Sequence, residues 1–265
     1  MKTIERVLLA AEDTRVRSQI TLAEAAEAAG IEGVWVTGPA TGHGDSYATA
    51  TAAAIASATT DLRVGVVLGL AMAGDVLRLA EDLAVLDHCS SGRAELCLGT
   101  GSASQVIDPV RAELLLTNLR TCWAGDRQIA VTPGPLQPAI PAVAHGGPVA
   151  GTGTVVELDD GAGTDRPMLG AGRVVLYVRP ERTRAVVAAA DDPATLADAV
   201  RRLRDAVGAT GARDLLFVVP RGDGEHSVEV LGAVIAPVLR ANEDEVADLV
   251  LDTLKFRRAA VTFPR

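Results

Sequence analysis

Short apolar runs alternate along the chain with longer stretches whose apolar residues recur at helical spacing. Residues 7–10 read as a first strand, and 18–29 as an Ala-rich helix stopped by Gly30, which suits a left-handed C-cap. Residues 34–36 make a second strand, and Asp45 can cap a helix running to about Thr59. Residues 63–68 form a third strand. The next unit is the clearest: Asp75 is an N-cap, and Val76, Leu79, Leu83 and Leu86 share one helix face with charges between them. Gly92 ends that helix before a fourth strand at 94–98. Asp108-Pro109, a cap followed by proline, opens a helix ending near Gly125, and 140–144 is a short fifth strand.

The rhythm breaks over 146–172, which is rich in glycine and has no helical pattern. Residues 155–158 and 174–178 are strand-like, but their connections are too short for the crossover helix that parallel neighbours usually carry. Either a helix is missing here or two strands pair antiparallel. Alternation then resumes. Asp192-Pro193 starts a helix with Leu196, Val200, Leu203 and Val207 on one face, 215–219 is a strand, and 227–239 a helix. Asn242 and Glu245 have capping-box spacing for an extra C-terminal helix at about 242–258. Eight strands with helices after most of them predict an α/β fold of the TIM (β/α)8 type, remodelled or helix-deficient around 146–172. A doubly wound open sheet is the rival, and it lacks a GxGxxG after the first strand.

Composition narrows the picture. At 265 residues one barrel domain spanning 1–265 is expected, and 48% hydrophobic residues suffice for a large core. Aromatics are only 3%, so Ala, Val and Leu must do the packing. A net charge of −9 with scattered arginines argues against nucleic acid. Cys89, Cys97 and Cys122 form no CxxC pair, and buried reduced thiols are the expectation. The apolar run ending at Ala10 is too short for a signal peptide, and no stretch approaches a membrane span, so a cytoplasmic protein without membrane partners is expected. No metal spacing, P-loop or Ser-His-Asp ordering is present.

Four segments read in order carry a family resemblance. AEAAEAAGIEGVWVTG is similar to the opening helix and second strand of luciferase-like monooxygenases, and ATTDLRVGVVLGL to their third strand. LAEDLAVLDHCSSGRAELCLGTGS resembles their Leu-Asp helix end, Ser-Gly-Arg turn and glycine-ended strand. CWAGDRQIAVTPGPLQPAIPAVAHGG is similar to their Trp-x-Gly loop and fifth strand. The match runs through 18–147 and more loosely through 173–240, as in a shortened and divergent member. It implies a TIM barrel, reduced flavin (FMN) or deazaflavin (F420) chemistry, and usually dimers.

Ligands of such barrels bind at the C-terminal ends of the strands. Gly99, Thr100, Gly101 and Ser102 follow the fourth strand; alone they suit a tight turn, and the resemblance implies a cofactor contact. No arginine occurs between Arg93 and Arg111, so a phosphate there would rest on dipoles and hydroxyls. His145, Gly146 and Gly147 end the fifth strand, where relatives cradle the cofactor; the alternative is a loop glycine pair beside a surface histidine. Relatives place an acid-histidine or histidine-containing pair at the end of the second strand. Gly38-Pro39 stands there here, and His43 is the candidate acid or base, with a solvated loop histidine as the other reading. Gly69 lies where the family beds the isoalloxazine ring. Glu95, beside Arg63 on the neighbouring strand, reads as a lumen ion pair. His88 suits a helix C-terminus, and His226, placed before the penultimate helix, could cap or contact a ligand.

The resemblance therefore implies an FMN- or F420-dependent oxidoreductase performing monooxygenation or hydride transfer on a small organic substrate, and few aromatics with an apolar mouth suggest a neutral one. The alternative is a non-catalytic relative that binds flavin, uses no cofactor, or pairs with an active partner subunit. A homodimer is expected through the Ala-rich helix at 45–59 and the C-terminal helix, with a heterodimer as the other form.

Overall fold

The computed structural model describes residues 6–11, 15–37, 44–69, 75–99, 108–125, 131–145, 149–150, 152–158 and 173–241, together with 245 and 249. Eight parallel strands close into a barrel in chain order: β1 (Arg6–Ala11), β2 (Gly33–Thr37), β3 (Arg63–Leu68), β4 (Ala94–Leu98), β5 (Ala142–His145), β6 (Gly153–Glu157), β7 (Val174–Val178) and β8 (Asp214–Val219). Around them lie α1 (Val16–Ala28), α2 (Gly44–Ala58), α3 (Val76–Cys89), α4 (Pro109–Ala124), α5 (Pro180–Ala189) and α6 (Pro193–Thr210). After β8 come α7 (Gly224–Val230) and α8 (Ala236–Arg240), joined by a π-helical turn (Leu231–Ile235). The expected TIM-type barrel is what the chain forms.

Local chemistry sets most boundaries. Asp75, Asp108 and Asp192 accept hydrogen bonds from the backbone N–H groups of Arg78, Val110 and Thr195, satisfying donors that a helix start leaves free. Gly125 closes α4 with φ of +70°, where a side chain would be strained. α2 begins at Gly44, so Asp45 lies inside the helix and not before it. The π turn directly precedes Pro237, which has no N–H to continue an α ladder.

The motifs behind the family resemblance have structural roles. Ser91 and Gly92 take positive φ in the turn after α3. Arg93 then spreads its guanidinium over the end of α2, donating to Ala56 O (3.0 Å), Thr59 O (2.9 Å) and Leu62 O. Buried Asp87 accepts from the backbone and side-chain N–H groups of Gln137 (2.8 and 2.7 Å), pinning the proline-rich approach to β5. Trp123 donates to Ala80 O (3.0 Å), tying α4 to α3.

Four expectations are resolved or corrected. Of the two alternatives for 146–172, antiparallel pairing is ruled out: β5, β6 and β7 are parallel neighbours. Only residues 146–152 join β5 to β6, yet β5 is four residues long. Seven residues reach about 25 Å, enough to return beside so short a strand without a helix. Second, α5 was not anticipated. Its N-cap is Arg179, with no side-chain capping bond, so its start is marked only by Pro180 and by Glu181 in the first turn. Third, Cys97 and Cys122 are buried, but Cys89 at the end of α3 is exposed; all three thiols are free. Fourth, His226 lies within α7 and does not precede it. The C-terminal helix at 242–258 lies outside the described residues, apart from Glu245 and Leu249, which are helical. Among the described residues no helix is long and apolar enough to cross a membrane.

Register decides which side chains meet inside the barrel. Followed from Val219 through the strand pairs, it returns to β8 at position 211, a displacement of eight residues and the shear of a TIM barrel. Inward residues therefore sort into layers of four from alternate strands. The lowest complete layer is Gly33, Glu95, Gly153 and Asp214. Leu8, Gly65, Val143 and Val175 lie above it, then Trp35, Cys97, Val155 and Leu216. Ala10, Val67, His145 and Tyr177 come next, and Thr37, Gly99, Glu157 and Val218 rim the C-terminal end. The apolar members of these layers form a core cluster separate from the larger one between strands and helices.

Candidate functional site at the barrel mouth

At the N-terminal end, polar groups close the lumen. Glu95, 1% exposed, pairs with Arg6 (3.1 Å), Arg63 (3.1 Å) and Arg173 (2.9 Å), and accepts from the Trp35 indole (3.3 Å). Asp214, equally buried, pairs with Arg173 and with Arg6 at 3.7 Å. The lumen pair expected for Glu95 and Arg63 is thus one part of a larger network. Burial opposes charge on Arg173, but Glu95 and Asp214 outweigh it and raise its pKa. Above this floor the Trp35 indole fills the volume left by Gly65, where even a Cβ would overlap the ring. Paired charges and the Trp35 indole fill this end of the lumen, and it serves stability.

The opposite end differs. His145 closes β5 with both ring nitrogens buried and, among the described residues, without a hydrogen-bond partner. Burial pushes its pKa below the ordinary value, so the imidazole is neutral at neutral pH, with one donor and one acceptor to offer. Tyr177 meets it edge-on, ring centroids 6.2 Å apart and planes at 82°. At the rim Glu157 pairs with Arg179 at 3.1 Å. Cys97 lies one layer below His145, and burial pushes its thiol up to about 12, so it is no nucleophile at neutral pH.

Three of the anticipated site residues fall within the described structure. Gly99 and His145 are brought together: a Cβ on Gly99 would lie 3.1 Å from the His145 Cβ. Gly99 therefore seats the histidine. Gly69, just past β3, has nothing within 4 Å of where its Cβ would stand, so space opens beside it. His43, Thr100, Gly101, Ser102, Gly146 and Gly147 lie outside the described residues. Tyr177 and the Glu157–Arg179 pair were not anticipated. Period-two alternation on β6 and β7 could have found them, since each strand residue is inward at every second position. His88 instead bonds Gly134 O (2.9 Å) on the surface. Exposed His226 lines a cleft of about 560 Å³ between α1 and the turn after β8, with Arg15, Arg17 and Asp223. Among the described residues no cluster of His, Cys, Asp or Glu could hold a metal ion.

The family model described as luciferase-like monooxygenase matches residues 4–212. The chain belongs to that family. Its solved luciferase-like neighbours agree in fold. Monooxygenase RslO1 from Streptomyces bottropensis is 13% identical with TM-score 0.64, covering 88% of this chain and 99% of its own. The coenzyme F420 dependent tetrahydromethanopterin reductase from Methanopyrus kandleri is 13% identical with TM-score 0.62, covering 87% and 97%. The oxygenating constituent of 3,6-diketocamphane monooxygenase from Pseudomonas putida, in complex with FMN, is also 13% identical with TM-score 0.62, covering 89% and 98%. No curated protein matches the sequence. Membership supports oxidoreduction with a flavin-type cofactor in general terms.

Proposed function

We propose that this luciferase-like chain is an FMN- or F420-dependent oxidoreductase acting on a small organic substrate at the mouth of its lumen. The observation that carries the reading is the buried His145 imidazole, whose two nitrogens lack partners in a protein that otherwise pairs its lumen charges. Unmet buried polar atoms are costly, and a bound molecule would satisfy them. A Cβ at Gly69 would meet nothing within 4 Å, and with the unpartnered imidazole that open position is compatible with a flavin or deazaflavin.

When bound, that cofactor would supply the redox chemistry: monooxygenation with reduced FMN, or hydride transfer with F420. The chain would do the rest. Trp35 and the ionic floor exclude water from below, Gly99 and Tyr177 fix the His145 ring, and His145 hydrogen-bonds the ligand. The reading includes a cytoplasmic location, where the three free thiols would stay reduced, and association with a second copy or a related subunit.

Fluorescence titration of FMN and of F420 with the purified protein tests it. Saturable quenching of one cofactor is expected. Failure to bind either would remove the proposal, and sedimentation decides the association.

A further inference from the structure

Resting on the mouth as the ligand site, we propose that His145 anchors a neutral carbonyl, amide or hydroxyl group of the bound molecule, whose apolar body lies over Ala10, Val67 and Val218.

Three observations converge on this. The imidazole nitrogens are buried and unpartnered, so the ring has hydrogen-bonding capacity that the described protein leaves unused. The ring also has close neighbours: a Cβ on Gly99 would lie 3.1 Å from the His145 Cβ, and the Tyr177 ring stands edge-on with centroids 6.2 Å apart. Finally, the two halves of the mouth differ. Around β5 to β7 stand His145, Tyr177 and the Glu157–Arg179 pair, whereas Ala10, Val67 and Val218 on β1, β3 and β8 belong to the apolar lumen cluster.

The class of ligand group follows from charge. Glu157 and Arg179 neutralise each other across 3.1 Å, and Cys97 below stays protonated. A carboxylate or phosphate set against His145 would have one N–H of a neutral ring to meet its charge, because Arg179 is already paired with Glu157. A neutral group needs no countercharge, and it can accept from the imidazole N–H or donate to its other nitrogen. Such a group could belong to the pyrimidine edge of the cofactor or to the substrate.

Nuclear magnetic resonance of the ring nitrogens separates these sources, because the chain has only four histidines. The His145 signals are assigned by their loss in His145→Gln. FMN, F420 and cyclohexanone are each titrated into wild type, His145→Gln and His145→Phe, with cyclohexane as the control. If the group is on the cofactor, FMN or F420 shifts the His145 nitrogens. His145→Phe then weakens that binding about tenfold or more, and His145→Gln retains most of it. If the group is on the substrate, cyclohexanone shifts them, cyclohexane does not, and cofactor affinity is the same in all three proteins. Signals unmoved by all three polar probes, with equal affinities, mean that the ring faces water only and overturn the inference. Wild type that binds neither cofactor sinks the proposed oxidoreductase instead, while the cyclohexanone arm still decides His145.

Discussion

The two ends of the lumen are built from the same strands and treat polarity in opposite ways. At the floor, Arg6, Arg63 and Arg173 converge on Glu95 and Asp214, and the Trp35 indole adds its donor. Arg173 Nη2 is without a partner there, but both carboxylates are held by several groups. At the mouth, His145 has two buried nitrogens and no partner for either. The contrast teaches which kind of polarity marks a site. Charge concentrated at the floor is consumed by the protein itself, and so it resembles an active centre only in composition. A single neutral ring with unmet hydrogen bonds keeps a capacity that the described residues leave unused.

The largest effect should come from breaking the floor. Glu95→Ala takes the shared carboxylate from Arg6, Arg63, Arg173 and the Trp35 indole at once, leaving Asp214 alone to face Arg6 and Arg173. Removing one partner from a buried ionic network costs about 3–5 kcal/mol, so the guanidinium chloride midpoint should fall steeply. Cofactor affinity, measured under conditions where the variant is folded, should stay near wild type. A drop in affinity with unchanged stability would reverse the assignment of the two ends.

A pair of glycines on and just beyond β3 sharpens the same comparison with a smaller effect. A Cβ at Gly65 would run into the Trp35 indole, whereas one at Gly69 would meet nothing within 4 Å. Gly65→Ala should cost about 1–3 kcal/mol, as overpacking does, and shift the emission of Trp35. Gly69→Ala should leave stability within about 0.5 kcal/mol and act only on ligand affinity. Equal stability losses at both positions would mean that the mouth is as tightly filled as the floor.

The barrel was largely legible because its signals are local. Asp75, Asp108 and Asp192 announce helix starts, and apolar runs mark the strands they lead to. α5 was missed because Arg179 caps it without a side-chain bond. The course of β5 to β7 stayed open between a missing helix and antiparallel pairing, because the choice depends on the shortness of β5, a tertiary fact. The family motifs misdirect in an instructive way. Asp87, Arg93 and Trp123 are the most recognisable residues of the resemblance, yet they fasten helices and loops. Gly99 was legible as a candidate cofactor contact, and the structure adds that a Cβ there would lie 3.1 Å from the His145 Cβ. Tyr177 could be seen only once the register brought β5 and β7 into one layer.

The smallest effect belongs to His145 itself, and its sign is the informative part. Replacing a paired buried group destabilises, but His145 has no hydrogen bond to lose. His145→Phe should therefore equal wild type at neutral pH or exceed it by about 1 kcal/mol, since it removes unmet polar atoms from a buried ring. Acid should widen the gap. Burial lowers the folded pKa of His145 below its ordinary 6.5, so the unfolded chain binds the proton more readily. Wild type then loses stability relative to the variant as pH falls from about 6.5 towards that lower value, by at most about 1.4 kcal/mol per pH unit. Below it the difference levels off, and above 6.5 it is absent. Denaturation midpoints of the two proteins at a series of pH values read this directly. Parallel curves would show that water reaches the ring and already satisfies it, which would bring the mouth closer in kind to the floor.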